Sequence, residues 1–70
     1  MHYYLKVKYK NKIYNIVFLN YDLYELTWNI LDEYVLISYC IYENDLKNIP
    51  DIIYYEENVE FLKKIFNKVL

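Results

Sequence analysis

Glycine is missing altogether from this 70-residue chain, as are alanine, arginine and glutamine, while cysteine, histidine and proline occur once each. Without glycine there is no loop of the kind that lets backbone approach phosphate closely, so neither dinucleotide- nor mononucleotide-binding motifs can be built. A single cysteine, Cys40, cannot form an internal disulfide, so the fold has to be stable in a reducing compartment. Its place inside the apolar run Val35 to Tyr42 makes it an expected small buried hydrophobe rather than a reactive thiol. His2 is expected at an exposed, frayed end. One His and one Cys supply neither a zinc cage nor a nucleophile, base and orienting group.

The paired carboxylates Asp32-Glu33 and Glu56-Glu57 are neighbours in sequence, the pattern of a solvated helix edge or loop, and no second pair joins them at useful spacing. No catalytic residue, metal or cofactor is therefore expected, and the chain is read as non-enzymatic. No apolar stretch approaches the roughly 18 residues that span a bilayer, and the start Met-His-Tyr-Tyr-Leu-Lys is no signal peptide. A cytoplasmic protein without membrane contact is the expectation, in a host cytoplasm if the source is viral.

What is present compensates for the short length. Hydrophobic residues make up 57% and aromatics 21%, with eleven tyrosines, so one domain over residues 1–70 has enough large rings to build a core. Asn, Ile, Lys and Tyr supply 36 of the 70 residues, all written by AT-rich codons, which fits an AT-rich bacterium, its phage or another virus. That bias explains most of the tyrosine, yet eleven cannot all be buried, and surface tyrosine is enriched at binding sites.

Residues 3 to 20 alternate as two strands. Tyr3, Leu5, Val7 and Tyr9 fall on one face of the first, and Tyr4, Lys6, Lys8 and Lys10 on the other. A two-residue turn at Asn11-Lys12 pairs Tyr9 with Tyr14, Val7 with Ile16 and Leu5 with Phe18 on one shared face. The opposite face mixes lysine with Val17 and Leu19, and is either solvated under lysine stems or meets another chain.

Asp22 and Glu25 resemble a capping box, predicting a helix from Leu23 to about Tyr34. Leu23, Leu26, Thr27, Ile30 and Tyr34 form one stripe of it and Tyr24, Trp28 and Leu31 another, so most of its circumference wants cover. The run Val35 to Tyr42 predicts a central strand covered on both faces. Leu46 to Ile49 suits a helical turn ended by Pro50. Residues 51 to 55 read as a short strand, although Ile52, Tyr55, Val59, Leu62, Phe66 and Val69 also keep the spacing of one long helix. Val59 to Val69 is helical either way, with Glu60 early and Lys63, Lys64 and Lys68 late. The resulting fold class is α+β, a small antiparallel sheet with two helices packed on one face in the order β-β-α-β-(β)-α.

Charge is segregated along the chain. Residues 1 to 20 carry +4, residues 21 to 60 carry −9 and residues 61 to 70 carry +3, which sum to the net −2. The acidic middle interleaves Asp22, Glu25, Asp32, Glu33, Glu43, Asp45, Asp51, Glu56 and Glu57 with Tyr21, Tyr24, Tyr42, Tyr54 and Tyr55. Acid plus tyrosine suits a basic partner surface and imitates the phosphates and bases of nucleic acid.

The leading expectation is thus a small protein-binding module encoded by a virus or mobile element. It would bind a host protein and inhibit a nucleic-acid-handling defence system, anti-CRISPR-like in kind. One alternative is single-stranded nucleic-acid binding through Lys6, Lys8, Lys10 and Lys12, with Tyr4 and Tyr14 near enough to stack bases. Four lysines without arginine, at a pI of about 5.2, fall short of the usual basic footprint. The other is a self-associating structural protein, in which the outer face of the hairpin forms a homodimer.

Overall fold

A computed structural model describes residues 1–67. Four strands and two helices follow one another as β1 (His2–Tyr9), β2 (Lys12–Phe18), α1 (Tyr21–Ile30), β3 (Val35–Ile41), β4 (Ile52–Tyr54) and α2 (Val59–Phe66). Short 3₁₀ turns span 32–34, 43–48 and 55–57. The order matches the β-β-α-β-β-α expectation, including the strand at 52–54 and the helical turn before Pro50. The part of the predicted helix that includes Lys68 and Val69 lies outside the described residues.

The hairpin turn sits one residue earlier than its sequence suggested. Lys10 and Asn11 occupy it with φ of 50° and 64°, and the register is Tyr9 with Lys12, Val7 with Tyr14, Leu5 with Ile16 and Tyr3 with Phe18. Positive φ at both turn residues matches the right-handed twist of the strands. Relative to the expected pairing β2 has slid by two residues, an even step, so every side chain keeps its face. In a chain without glycine, positive-φ positions fall to Lys10, Asn11, Asp51 and Asn67. Three of these are Asn or Asp, the residues that tolerate this region best.

The sheet order is β3-β1-β2-β4, which overturns two expectations. The sheet is mixed rather than antiparallel, because β4 pairs with β2 in parallel while β1 pairs antiparallel with both β2 and β3. Strands β3 and β4 therefore run in the same direction at opposite edges, and no tight turn can join them. The chain instead crosses beneath the sheet through the 3₁₀ turn at 43–48, whose Leu46 packs with Tyr4, Val17 and Ile41 on the face opposite the helices. The second correction concerns β3, which is an edge strand and not central. Both central positions belong to the hairpin, where Tyr4, Leu5, Val7, Asn15, Ile16, Val17 and Phe18 are buried.

Both helices pack on the other face. Leu31, Tyr55, Leu62 and Phe66 close over Leu5, Val7, Ile16 and Phe18, flanked by Tyr3, Tyr9, Tyr14, Leu23, Tyr24 and Val59. Each fully buried aliphatic or aromatic side chain here contributes about 1.5–3 kcal/mol relative to its exposed state. Helix α1 begins two residues before the predicted start, because Asn20 and not Asp22 is the cap: its side-chain oxygen accepts the backbone N–H of Leu23 at 3.0 Å. The helix ends at Ile30, and Asp32–Tyr34 tightens into a 3₁₀ turn. Its buried stripe is narrower than the composition suggested. Thr27 is buried and Leu23 and Tyr24 half-buried, while Leu26, Trp28 and Ile30 face outward.

Candidate protein-binding surface

The segment β3–α1 concentrates the exposed apolar surface. Tyr21, Leu26, Trp28 and Ile30 are exposed on the helix, and Leu36, Ile37 and Tyr39 on the strand, with Tyr42 just beyond it at 68%. Cys40 is exposed as well, correcting its expected burial. The cause is the edge position of β3, since a strand paired on one side only keeps little of its surface covered. His2 is also placed differently from expectation: it is part of β1, opposite Ile41, and its Nδ1 is buried without a hydrogen-bond partner among the described residues.

On the helix side of β3 a groove of about 430 Å³ is lined by Tyr21, Tyr24, Glu25, Trp28, Asn29 and Ser38. The i, i+3/i+4 spacing of α1 sets Tyr21, Tyr24, Glu25 and Trp28 along one side of the groove. Its floor is held by a contact between the Tyr24 hydroxyl and Ser38 Oγ. Tyr3, Tyr21 and Tyr24 form an aromatic triangle with ring centroids 5.3 to 5.9 Å apart, which fixes the orientation of the two helix tyrosines. Hydrogen bonding to the Glu25 carboxylate, and the charge of that group, raise the Tyr21 hydroxyl above its ordinary pKa. Glu33 does the same to Tyr34.

The acids do not all join this surface. Asp22 and Glu25 are exposed on α1, Asp32 and Glu33 in the turn entering β3, and Glu43 and Asp45 in the turn leaving it. β3 thus runs uncharged between two acidic ends. Among the described residues the one ion pair is Glu60 with Lys63 at 4.0 Å, so none of the acids around β3 is ion-paired there. Glu57 is exposed in the turn before α2, whereas Glu56 is occupied within the fold: its Oε1 accepts the backbone N–H groups of Leu19 and Asn20, each at 3.0 Å. Tyr55 is buried and stacked on Phe18 with centroids 4.8 Å apart, and Tyr54 is half-buried against the second core cluster. Tyr55 and Glu56 therefore leave the predicted contact set, and Tyr54 on β4 and Glu57 just after it belong to the sheet edge opposite β3. Trp28, Ser38, Ile37 and Tyr39 enter it; the sequence signal for Trp28 was a helix with more apolar positions than one face can hide, and the three β3 residues carried none, because their run read as a covered central strand.

The lysine face is less complete than its sequence suggested. Tyr4 is buried, its hydroxyl donating to Asn15 Oδ1 at 2.5 Å. Tyr14 lies on the helix side, 5.6 Å from the Phe66 ring. Neither ring is offered to a base from the Lys6–Lys8 face. Lys10 and Lys12 stand 5.4 and 5.2 Å over the rings of Tyr9 and Tyr14. A cleft of about 440 Å³ beside Lys6 is lined by Tyr4, Ile13, Asn15, Tyr39 and Pro50. Among the described residues no three His, Cys, Asp or Glu side chains converge as metal ligands, and no helix is long and apolar enough to cross a membrane.

Compared with protein-family models, curated proteins and solved structures, the chain matches none of them at a significant level.

Proposed function

We propose that the chain is a non-enzymatic protein-binding module that contacts a host protein through the outer face of α1 and the adjoining edge of β3. The observation that carries this reading is the meeting of Tyr21, Glu25 and Trp28 with Ser38 at an exposed, acid-flanked apolar strand. Exposed aromatic rings bordered by carboxylates suit a partner with a basic surface, and aromatic anchors of this kind supply most of the energy at interfaces. An inhibitor of a nucleic-acid-handling defence protein, acting in the cytoplasm and encoded by a phage or mobile element, fits that chemistry, because such enzymes carry basic channels shaped for phosphate.

The test is affinity capture from lysates of AT-rich bacteria, with wild-type protein and the double variant E25K/W28A as parallel baits. A protein held by the wild type and released by the variant supports the surface. A partner held equally by both baits overturns it.

A further inference from the structure

Building on that reading, we infer that β3 recruits its partner by strand addition, and that the added segment is an extended stretch of another protein that alternates basic and apolar residues and carries Lys or Arg at both ends. Among the described residues β3 pairs only with β1, so alternate N–H and C=O groups along its outer side are unpaired within the sheet. A break in register between Lys6 and Val7 leaves Leu36 as an extra residue, so the regular edge runs from Ile37 to Ile41. Of the devices that usually blunt a sheet edge, Val35–Ile41 carries the bulge at Leu36 but no charge and no proline, and residues 37–41 carry none of the three.

The two faces beside this edge differ, which sets the alternation. Ser38 shares the helix face with its partner Leu5, where Glu25 and Trp28 border the groove, so side chains of an added strand on that face meet a carboxylate and an indole. A lysine or arginine suits both, through charge and through attraction to the ring face. On the other face Ile37 and Tyr39 stand half-exposed and suit an apolar row. Beyond the ends of the edge lie Asp32 and Glu33 on one side and Glu43 and Asp45, with Lys47 in the same turn, on the other, so both ends carry net negative charge and call for basic ends.

The same charges disfavour a second copy as occupant. A two-fold antiparallel pairing of β3 centred on Ser38 brings the acidic turn at 32–34 of each copy alongside the acidic turn at 43–48 of the other. Like charges brought together in this way repel.

The experiment selects displayed random nonapeptides on the immobilised chain, nine residues being the span from Tyr34 to Tyr42. An enriched peptide is then synthesised and mixed with the protein for amide hydrogen exchange. Enrichment of Lys or Arg at the ends with alternating apolar positions is expected, with new protection at amides among residues 37–41. Methylating alternate peptide amides, and separately the surface variant E33K/E43K, should each weaken binding roughly tenfold or more. Failure to enrich peptides, enrichment of acidic or neutral ends, or protection on α1 without β3 overturns strand addition. Protection of the β3 amides that rises with protein concentration alone, without peptide, also overturns it by assigning the edge to a second copy. These outcomes are separate from the capture experiment, since a partner lost with E25K/W28A preserves the binding surface even where β3 amides stay unprotected.

Discussion

The carboxylate of Glu56 accepts the backbone N–H of Asn20 at 3.0 Å, tying the turn after β4 to the residue that caps α1. The same oxygen accepts Leu19 N–H at 3.0 Å, so one side chain satisfies two donors at the β2–α1 connection. Replacing Glu56 with Ala should cost roughly 1–2 kcal/mol in chemical denaturation, the range for hydrogen bonds to a charged acceptor at a partly exposed site. Gln should recover part of the loss. Partner capture by E56Q should match wild type, because this acid acts within the fold.

Asn15 joins the two faces of the crossover. Its Oδ1 accepts from Tyr4 and its Nδ2 donates to the Pro50 carbonyl at 2.7 Å, all beneath the 43–48 turn. Tyr4→Phe leaves a buried acceptor unpaired and should destabilise by about 1–2 kcal/mol, read from the urea midpoint at unchanged slope.

Burial raises the hydroxyls of Tyr4 and Tyr55 above the ordinary tyrosine value, with Thr27 partly offsetting the shift at Tyr55. A raised pKa in the folded state means that the unfolded chain loses these protons first as pH rises. The stability they contribute is therefore fully present below the ordinary value of 10.0 and falls as pH climbs through the folded pKa values. Denaturant midpoints measured in steps from pH 8 to 11 should decline only in the alkaline part of that range, and Y4F should make the decline shallower.

Helix α2 offers a paired comparison. Leu62 is fully buried and Phe61, its neighbour, is 48% exposed. Leu62→Ala should cost roughly 2–4 kcal/mol through lost burial and a residual cavity, and Phe61→Ala less than about 1 kcal/mol. Thermal unfolding of the two variants separates the faces of the helix directly.

Cys40 should react with a thiol reagent in the native protein without denaturant, given its exposure on β3. A bound strand should slow that reaction, whereas Phe61→Ala should leave it unchanged.

Local order was legible from residue pattern. Period-two alternation in residues 3 to 18 assigned the correct face to Leu5, Val7, Ile16 and Phe18, and parity protected that assignment when the turn fell on Lys10-Asn11. The spacing of Val59, Leu62 and Phe66 located α2 for the same reason: a helix period is a property of the segment alone. The scarcity of His, Cys and Gly is likewise readable without any fold.

Sheet position was decided only in three dimensions. An apolar run such as Val35 to Tyr42 has the same composition whether it is central and covered or, as here, at an edge with Leu36, Ile37 and Tyr39 exposed. The difference arises because the 43–48 turn carries the chain beneath the sheet to the far side of β2, a non-local event that no residue of β3 encodes. The candidate surface follows from that route. Sequence supplied the acids and the aromatic rings, and tertiary packing chose among them, burying Tyr55 on Phe18, assigning Glu56 to the α1 cap and leaving Trp28 beside an open strand, because burial depends on which elements meet and not on what each contains.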